Sequence, residues 1–157
     1  MLPDFPTDQV FIGGRWRAPE AGGRLPLEDP STGESIGDIA AGDASDIDAA
    51  VAAARTALAG SWGRATAVER GRVLMAISRA VTDQVEMLAQ LEALDVGKPL
   101  KQARADALAL ARYLEFYAGA ADKLHGETIP YLDGYTVYTL REPYGVTGHI
   151  IPWNYPM

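Results

Sequence analysis

The chain has 157 residues, of which 48% are hydrophobic and 22% charged, and this composition is typical of a globular protein rather than a disordered one. Its formal net charge of −7, with no basic block, argues against nucleic acid or an anionic membrane surface as a partner. The absence of cysteine excludes disulfides, zinc–thiolate sites and a thiol nucleophile within these residues, and without a membrane span or a visible secretory signal we expect a soluble cytoplasmic protein.

The first forty residues predict short strands joined by turns. Val10–Trp16 places Gly13-Gly14 between two β-type flanks, which is typical of a hairpin turn. Arg24–Leu27 alternates weakly, Glu28–Glu34 is rich in turn residues, and another short strand is predicted directly after it.

Three helices are predicted next. Ser45 is the expected N-cap of the first, which should stop at Gly60. Thr66 and Glu69 fit a capping box, and from Thr66 a single helix is predicted to about Asp95. A third helix should run from Pro99 to Gly126. Its predicted buried side consists of Leu100, Ala103, Ala107, Leu110, Leu114, Tyr117 and Ala121.

The last thirty residues have a different character. Asp133-Gly134 is a strong hairpin turn signal, and Tyr135–Glu142 alternates as a strand should. Gly145–Ile151 is short, apolar and glycine-punctuated, which predicts a strand covered on both faces. Such a strand needs neighbouring strands and covering helices, so we expect the chain to be the first part of a larger α/β protein.

The loop after that strand holds the most informative candidate residue, Asn154, the only asparagine of the chain. In one interpretation Asn154 shapes the turn and Trp153 fills the core. In the other, the amide N–H₂ points into a cleft at the carboxyl end of the strand and stabilises an oxyanion without titrating.

Two other polar residues are weaker candidates. His149 lies in the apolar strand and is expected to be a satisfied core residue. Asp95 lies at the negative end of a helix dipole and needs a partner there. That partner is either Lys98 or a bound cation.

Four stretches resemble the aldehyde dehydrogenase superfamily in the same order: EDPSTGE (28–34), LEALDVGKP (91–99), YLEFYAGAADKLHGETIP (113–130) and EPYGVTGHIIPWNYP (142–156). The resemblance covers essentially the whole chain, and its last stretch is highly specific. Members of that family attack an aldehyde with a cysteine thiolate, pass hydride from the thiohemiacetal to NAD or NADP, and hydrolyse the thioester with a glutamate as general base.

The resemblance assigns roles to eight residues of this chain. Asn154 matches the amide that donates to the developing oxyanion and, together with Ile151, Pro152 and Trp153, belongs to the cofactor-binding positions. Tyr155 matches an aromatic residue that lines the substrate tunnel. Asp95 matches an acid that in some members helps to hold a monovalent cation, K or Na, with backbone carbonyls near Leu27 and Glu28.

The fold implied is α/β, the incomplete amino-terminal part of a Rossmann-like cofactor-binding domain. Residues 1–125 and 144–157 would form a partial NAD(P)-binding domain, and residues 126–143 a β-hairpin oligomerisation arm of a homo-dimer or homo-tetramer. The cysteine nucleophile and the glutamate base are not in the chain, which alone is expected to be inactive on an aldehyde. The alternative is a non-catalytic binding or oligomerisation module from a truncated gene.

Overall fold

A computed structural model describes residues 6–157, so residues 1–5 of the predicted domain 1–125 lie outside the described part. Its strands are β1 (Val10–Ile12), β2 (Arg15–Arg17), β3 (Gly23–Glu28), β4 (Ser35–Ala41), β5 (Thr128–Ile129) and β6 (Val137–Tyr138). Its helices are α1 (Ala44–Ala59), α2 (Ser61–Arg64), α3 (Ala67–Asp83), α4 (Val85–Val96) and α5 (Leu100–Ala120). None of the helices in this part is long and apolar enough to cross a membrane.

The strands form three antiparallel pairs, β1–β2, β3–β4 and β5–β6. The predicted hairpin at Gly13-Gly14 is confirmed, and both glycines have positive φ, 62° and 78°, as the tight turn requires. The β3–β4 pair encloses residues 29–34 of the turn predicted at Glu28–Glu34, and Glu28 itself belongs to β3. Within residues 6–157 the chain is therefore α/β, but no two strands in that range pair in parallel.

Helix α1 begins earlier than the sequence predicts, because Asp43 rather than Ser45 is its N-cap. The Asp43 carboxylate accepts hydrogen bonds from the backbone N–H groups of Ser45 and Asp46, and the Asp46 carboxylate accepts one from the Asp43 N–H. This reciprocal box leaves fewer unpaired backbone donors than a cap at Ser45 would. The short helix α2, which follows α1 directly, was not predicted.

The long helix predicted from Thr66 to Asp95 is two helices. The Thr66–Glu69 capping box is present, but the chain leaves helical geometry at Gln84, whose φ and ψ are −111° and 12°. The change of direction lets α3 and α4 both pack against α5. Gly97, with φ of 70°, ends α4 in the left-handed conformation that the prediction required.

Helix α5 ends at Ala120, six residues before the predicted stop at Gly126. Its buried side is narrower than predicted, since Leu100 and Tyr117 are exposed and the buried positions are Ala103, Asp106, Ala107 and Ala111. Small residues here let the helices approach closely: a Cβ placed on Gly71 of α3 would lie 2.6 Å from the Ala118 carbonyl oxygen of α5. The buried Ser78 hydroxyl donates to the Ala111 carbonyl at 2.7 Å.

After residue 125 the chain carries little regular structure. The eight-residue strand predicted at Tyr135–Glu142 is reduced to the two-residue β6, although Gly134 turns with φ of 82° as expected. The strand predicted at Gly145–Ile151 is absent, and Ile150 is fully exposed at 101%. The reason is physical: no described strand lies beside this stretch to pair its backbone groups.

Candidate functional site

The loop Pro152–Tyr155 is closed by the backbone and not by the asparagine. The Tyr155 N–H donates to the Pro152 carbonyl at 3.2 Å, which makes a turn. The Asn154 side chain is exposed, and within residues 6–157 its amide has no hydrogen-bond partner. Trp153 is 81% exposed, so the interpretation in which it fills the core is wrong for these residues. The Asn154 amide is free to donate to a ligand.

The remaining loop residues predicted to contact a cofactor are also open. Ile151 and Pro152 are exposed, like Trp153. These three apolar side chains directly precede Asn154 in the chain and are uncovered. Uncovered apolar side chains can receive a group that brings an apolar face to the loop, as the predicted cofactor positions require.

Tyr155 is the loop residue that is held in place, and its partner is Lys98. The Lys98 ammonium lies 5.1 Å from the centre of the Tyr155 ring, within the range of a cation–π contact. Lys98 comes from the short connection between α4 and α5, so the loop is tied to the packed helices through this contact. Tyr155 remains 43% exposed, which leaves part of its ring for the substrate-tunnel role that the sequence suggested.

Lys98 is held by two acidic side chains of the neighbouring helices. Its ammonium lies 2.6 Å from Glu92 Oε1 of α4 and 2.7 Å from Asp106 Oδ2 of α5. Gln102 Nε2 donates to the other oxygen of Asp106 at 2.9 Å. We refer to Lys98, Glu92, Asp106, Gln102 and Tyr155 as the Lys98 cluster.

The charges in the Lys98 cluster support one another. The hydrogen bond from Lys98 lowers the pKa of Asp106 below 3.8 in spite of burial, and Gln102 and Tyr155 act in the same direction. Burial by itself would lower the pKa of Lys98, but hydrogen bonds to Asp106 and Glu92 raise it above 10.5. Burial, together with the Asp106 charge, raises the pKa of Tyr155 above 10.0. At neutral pH Lys98 is therefore a cation, Asp106 an anion and Tyr155 a neutral phenol.

One polar group of the cluster is left without a partner. Glu92 Oε2 is buried, and no described donor reaches it, while the other oxygen of the same carboxylate pairs with Lys98. A buried charged oxygen without a donor is costly, and Lys98 supplies the compensating charge. Loss of the ammonium would therefore leave two buried acids uncompensated.

The partner proposed for Asp95 on plain structural grounds is wrong. Lys98 pairs with Glu92 and Asp106, and Asp95 is exposed near the end of α4. A Cβ on Gly97 would lie 2.8 Å from Pro30 Cγ, so this helix end abuts the turn that follows Glu28. Within residues 6–157 no group of three or more acidic or histidine side chains is placed to bind a metal ion.

His149 is not the buried histidine that the sequence predicted. It is exposed, and its Nε2 lies 3.0 Å from the Thr147 hydroxyl. The stretch around His149 is not a strand, and His149 is not part of the core. No other described residue joins His149 in a catalytic arrangement.

Sequence reasoning missed the Lys98 cluster, although a signal for it exists. Asp106 lies between Ala103 and Ala107 on the buried side of α5, where a carboxylate needs a cationic partner. Gln102 stands four residues before it on the same face. An acid inside an alanine stripe therefore predicts a buried ion pair.

The aldehyde dehydrogenase family model matches residues 16–157. A mitochondrial aldehyde dehydrogenase family 2 member B4 from Arabidopsis thaliana is 48% identical over 95% of this chain and 28% of its own length. A Burkholderia cenocepacia crystal structure, provisionally assigned as an aldehyde dehydrogenase, is 67% identical with a TM-score of 0.91 over 94% of this chain and 31% of that one. The NAD⁺ complex of an aldehyde dehydrogenase from Bacillus cereus is 38% identical, with a TM-score of 0.90 over 94% of this chain and 30% of that one.

These matches agree with one another in what they cover. Nearly all of this chain is matched, and it spans between 28% and 31% of the length of the three relatives. The fold expected from the sequence is confirmed by the structural similarity. The chain belongs to the aldehyde dehydrogenase family.

Proposed function

We propose that this chain supplies the oxyanion-donor loop of an NAD(P)-dependent aldehyde dehydrogenase that oxidises an aldehyde to a carboxylic acid. The observation that carries the proposal is the Asn154 amide: it is exposed and unpartnered among the described residues, while a backbone hydrogen bond makes the turn around it. An amide in this state donates at every relevant pH and does not titrate.

The loop residues have separate tasks in this mechanism. Asn154 donates to the aldehyde oxygen as negative charge develops on it, which stabilises the transition state more than the bound aldehyde. Ile151, Pro152 and Trp153 offer apolar surface beside that amide to the cofactor. NAD or NADP, when bound, accepts the hydride. Tyr155 provides an aromatic wall for the aldehyde.

The test is Asn154→Ala in a full-length enzyme that contains this chain. We expect turnover to fall by roughly 10²–10³, the usual cost of one oxyanion-hole donor. Cofactor affinity should change little, because Ile151 and Trp153 remain. Asn154→Asp should be at least as damaging, since a carboxylate faces the developing negative charge without an N–H to offer. The measurement is kcat per titrated active site, next to a thermal melt of the same preparation.

Gln84→Ala is the matched control, because it removes another exposed amide that makes no side-chain cap. It should leave kcat unchanged. If Asn154 instead only shapes the turn, Asn154→Ala lowers the melting temperature while the folded enzyme keeps near-wild-type kcat, and the oxyanion assignment is then wrong.

We also propose that residues 126–143 act as an assembly arm of a homo-oligomer. Support comes from the β5–β6 pair and the residues next to it, whose apolar side chains are largely uncovered, including Tyr131, Leu132, Tyr138 and Leu140. Val137 pairs with Ile129, and a proline at Val137 would remove a backbone donor from this short ladder. Val137→Pro should shift the full-length enzyme toward monomer in light scattering, and an unchanged mass would count against the arm.

A cytoplasmic location is also part of the proposal. A further part is a monovalent cation site at Asp95, with backbone carbonyls near Leu27 and Glu28. The exposed carboxylate of Asp95, which Lys98 does not pair with, supports the cation site. Asp95→Ala should abolish a difference in melting temperature between potassium and sodium buffers. Identical melts of the unmodified enzyme in the two salts would remove the reason for the site.

A further inference from the structure

Within the Pro152–Tyr155 loop, the Tyr155 side chain contacts Lys98 of the α4–α5 connection. Pro152, Trp153 and Asn154 are exposed, and the preceding stretch, residues 144–151, has no regular structure. The position of the Asn154 amide therefore depends on its peptide neighbour. That neighbour rests on the Lys98 ammonium, 5.1 Å from the centre of its ring.

The Lys98 ammonium has a fixed position because it is paired with two buried acids. The Lys98 side chain is only 14% exposed, and Glu92 and Asp106 are almost completely buried. Glu92 lies on α4 and Asp106 on α5, so the charge is pinned between two helices that pack on each other. A cation partly withdrawn from water binds the face of an aromatic ring more strongly than an exposed one.

We propose that Lys98 is a positioning residue of the active site: pinned by Glu92 and Asp106, it seats the Tyr155 ring and thereby aims the Asn154 amide at the reacting oxygen. The inference rests on the proposed function, because it assigns a task to Lys98 in the oxyanion loop. It goes beyond that function in placing a determinant of turnover in the α4–α5 connection, outside the loop.

A second ion pair between the same helices separates this role from plain helix packing. Arg104 of α5 pairs with Glu86 of α4, at 2.7 Å for both nitrogen–oxygen contacts, but both side chains are exposed and neither takes part in the Lys98 cluster. If Lys98 only joined the helices, loss of Arg104 would have the same kind of effect. If Lys98 aims the loop, only its own loss changes turnover.

The first experiment compares kcat of full-length variants. Lys98→Gln should lower kcat by about 10- to 100-fold, the cost of displacing a catalytic group by around an ångström. Lys98→Arg should recover most of that loss, because a guanidinium also pairs with carboxylates and stacks on a ring. Arg104→Gln should leave kcat unchanged. Equal kcat in Lys98→Gln and Arg104→Gln would overturn the inference.

A second pair of variants avoids the two stranded acids that Lys98→Gln leaves and that could prevent folding. Tyr155→Leu keeps every ion pair but removes the ring, whereas Tyr155→Phe keeps the ring face. Tyr155→Leu should lower kcat at least as much as Lys98→Gln does, and Tyr155→Phe should lower it less, because the ring face is kept. The double variant Lys98→Gln/Tyr155→Leu should be no slower than the slower of the two single variants, since both substitutions break the same contact. Multiplied losses in the double variant would overturn the coupling.

Hydrogen–deuterium exchange of residues 150–157 gives a readout that does not depend on activity. Lys98→Gln and Tyr155→Leu should speed exchange at the backbone amide of residue 155, which donates to the Pro152 carbonyl in the unmodified chain, while Arg104→Gln should not. Faster exchange with an unaffected Asn154→Ala enzyme would refute the proposed function but not the anchoring. A tenfold or greater loss in Asn154→Ala, with normal kcat and slow exchange in Lys98→Gln, would refute the inference alone.

Discussion

Two regions of the chain, helices α3–α5 and the last thirty-two residues, differ in how much regular, packed structure they contain. The helices bury Ala89, Ala103, Ala107 and Ala111 against one another. Residues 126–157 carry only two two-residue strands, and their large apolar side chains are exposed. Both regions are rich in apolar residues, so hydrophobicity alone does not explain the difference.

The difference lies in where the backbone hydrogen bonds go. A helix pairs its own N–H and C=O groups within four residues and needs only caps at its ends, which Asp43, Thr66 and Gly97 help to provide. A strand such as the one predicted at Gly145–Ile151 pairs with other strands, and the described residues contain none beside it. The Lys98 cluster is where the packed helices contact the last thirty-two residues, through Tyr155.

The largest loss of stability should come from removing the ammonium of the Lys98 cluster. Lys98→Gln should destabilise the 157-residue chain by about 3 kcal/mol, at the lower end of what removing one partner of a buried ion pair costs. Urea denaturation followed by far-ultraviolet circular dichroism measures it, with the exposed pair variant Arg104→Gln as control. A loss no larger than that of the control would show that the acids are not truly buried.

The same variant predicts a pH dependence with a definite sign. Asp106 has a lowered pKa, so its contribution is present above about 3.8 and is lost as the pH falls through its lower folded value. Lys98 has a raised pKa, so its contribution is present below about 10.5 and is lost as the pH rises through its higher folded value. The stability difference between wild type and Lys98→Gln should shrink above about 10.5, as Lys98 loses its proton. It should also shrink in acid, beginning before the pH reaches 3.8, because the buried Asp106 of the variant has lost its cation and binds a proton more readily. A difference that grows in acid would contradict this.

Close packing of the helical region can be tested with two glycines. Gly71→Ala should destabilise by about 1–2 kcal/mol, because the added Cβ meets the Ala118 carbonyl oxygen at 2.6 Å. Gly119→Ala on α5 meets nothing within 4 Å and should stabilise by roughly 0.5–1 kcal/mol through helix propensity. Urea midpoints of the two variants should move in opposite directions. Parallel shifts would mean that α3 and α5 do not approach as closely.

The N-terminal cap of α3 tests how much a purely local interaction contributes to stability. Thr66→Ala should cost about 1 kcal/mol, since the Thr66 hydroxyl accepts from the Glu69 N–H and the Glu69 carboxylate accepts from the Thr66 N–H. Thr56→Ala, in the exposed interior of α1, is the control and should be neutral or slightly stabilising. Urea midpoints give both values. Equal losses at the two threonines would contradict the capping role.

The smallest effect on stability is expected in the last thirty-two residues. Ile150 is fully exposed, so Ile150→Ser should change the unfolding free energy of the 157-residue chain by less than about 0.5 kcal/mol. The same substitution should cost considerably more in a full-length enzyme if Gly145–Ile151 becomes a buried strand there. Urea denaturation of the short chain and thermal inactivation of the full-length enzyme separate the two cases. A large loss in the short chain would mean that Ile150 is already buried.

The sequence by itself determined the features whose cause is local. The glycine turn of β1–β2, the capping box at Thr66 and the left-handed stop at Gly97 each depend on a few neighbouring residues, and all three are present. The order of the family motifs also led to the correct family, which the family model confirms. The free amide of Asn154 agrees with one of the two interpretations that the sequence left open.

Only the tertiary structure decided the features that depend on distant partners. The division of one predicted helix at Gln84 follows from packing α3 and α4 on α5, and the absence of the predicted strand follows from missing neighbours. The partner of Lys98 was chosen the same way: Asp95 is nearer in sequence, but Glu92 and Asp106 face the ammonium once α4 and α5 pack together. Local patterns fix hydrogen bonds within a turn, whereas ion pairs and strand pairs are fixed only when segments far apart in the chain meet.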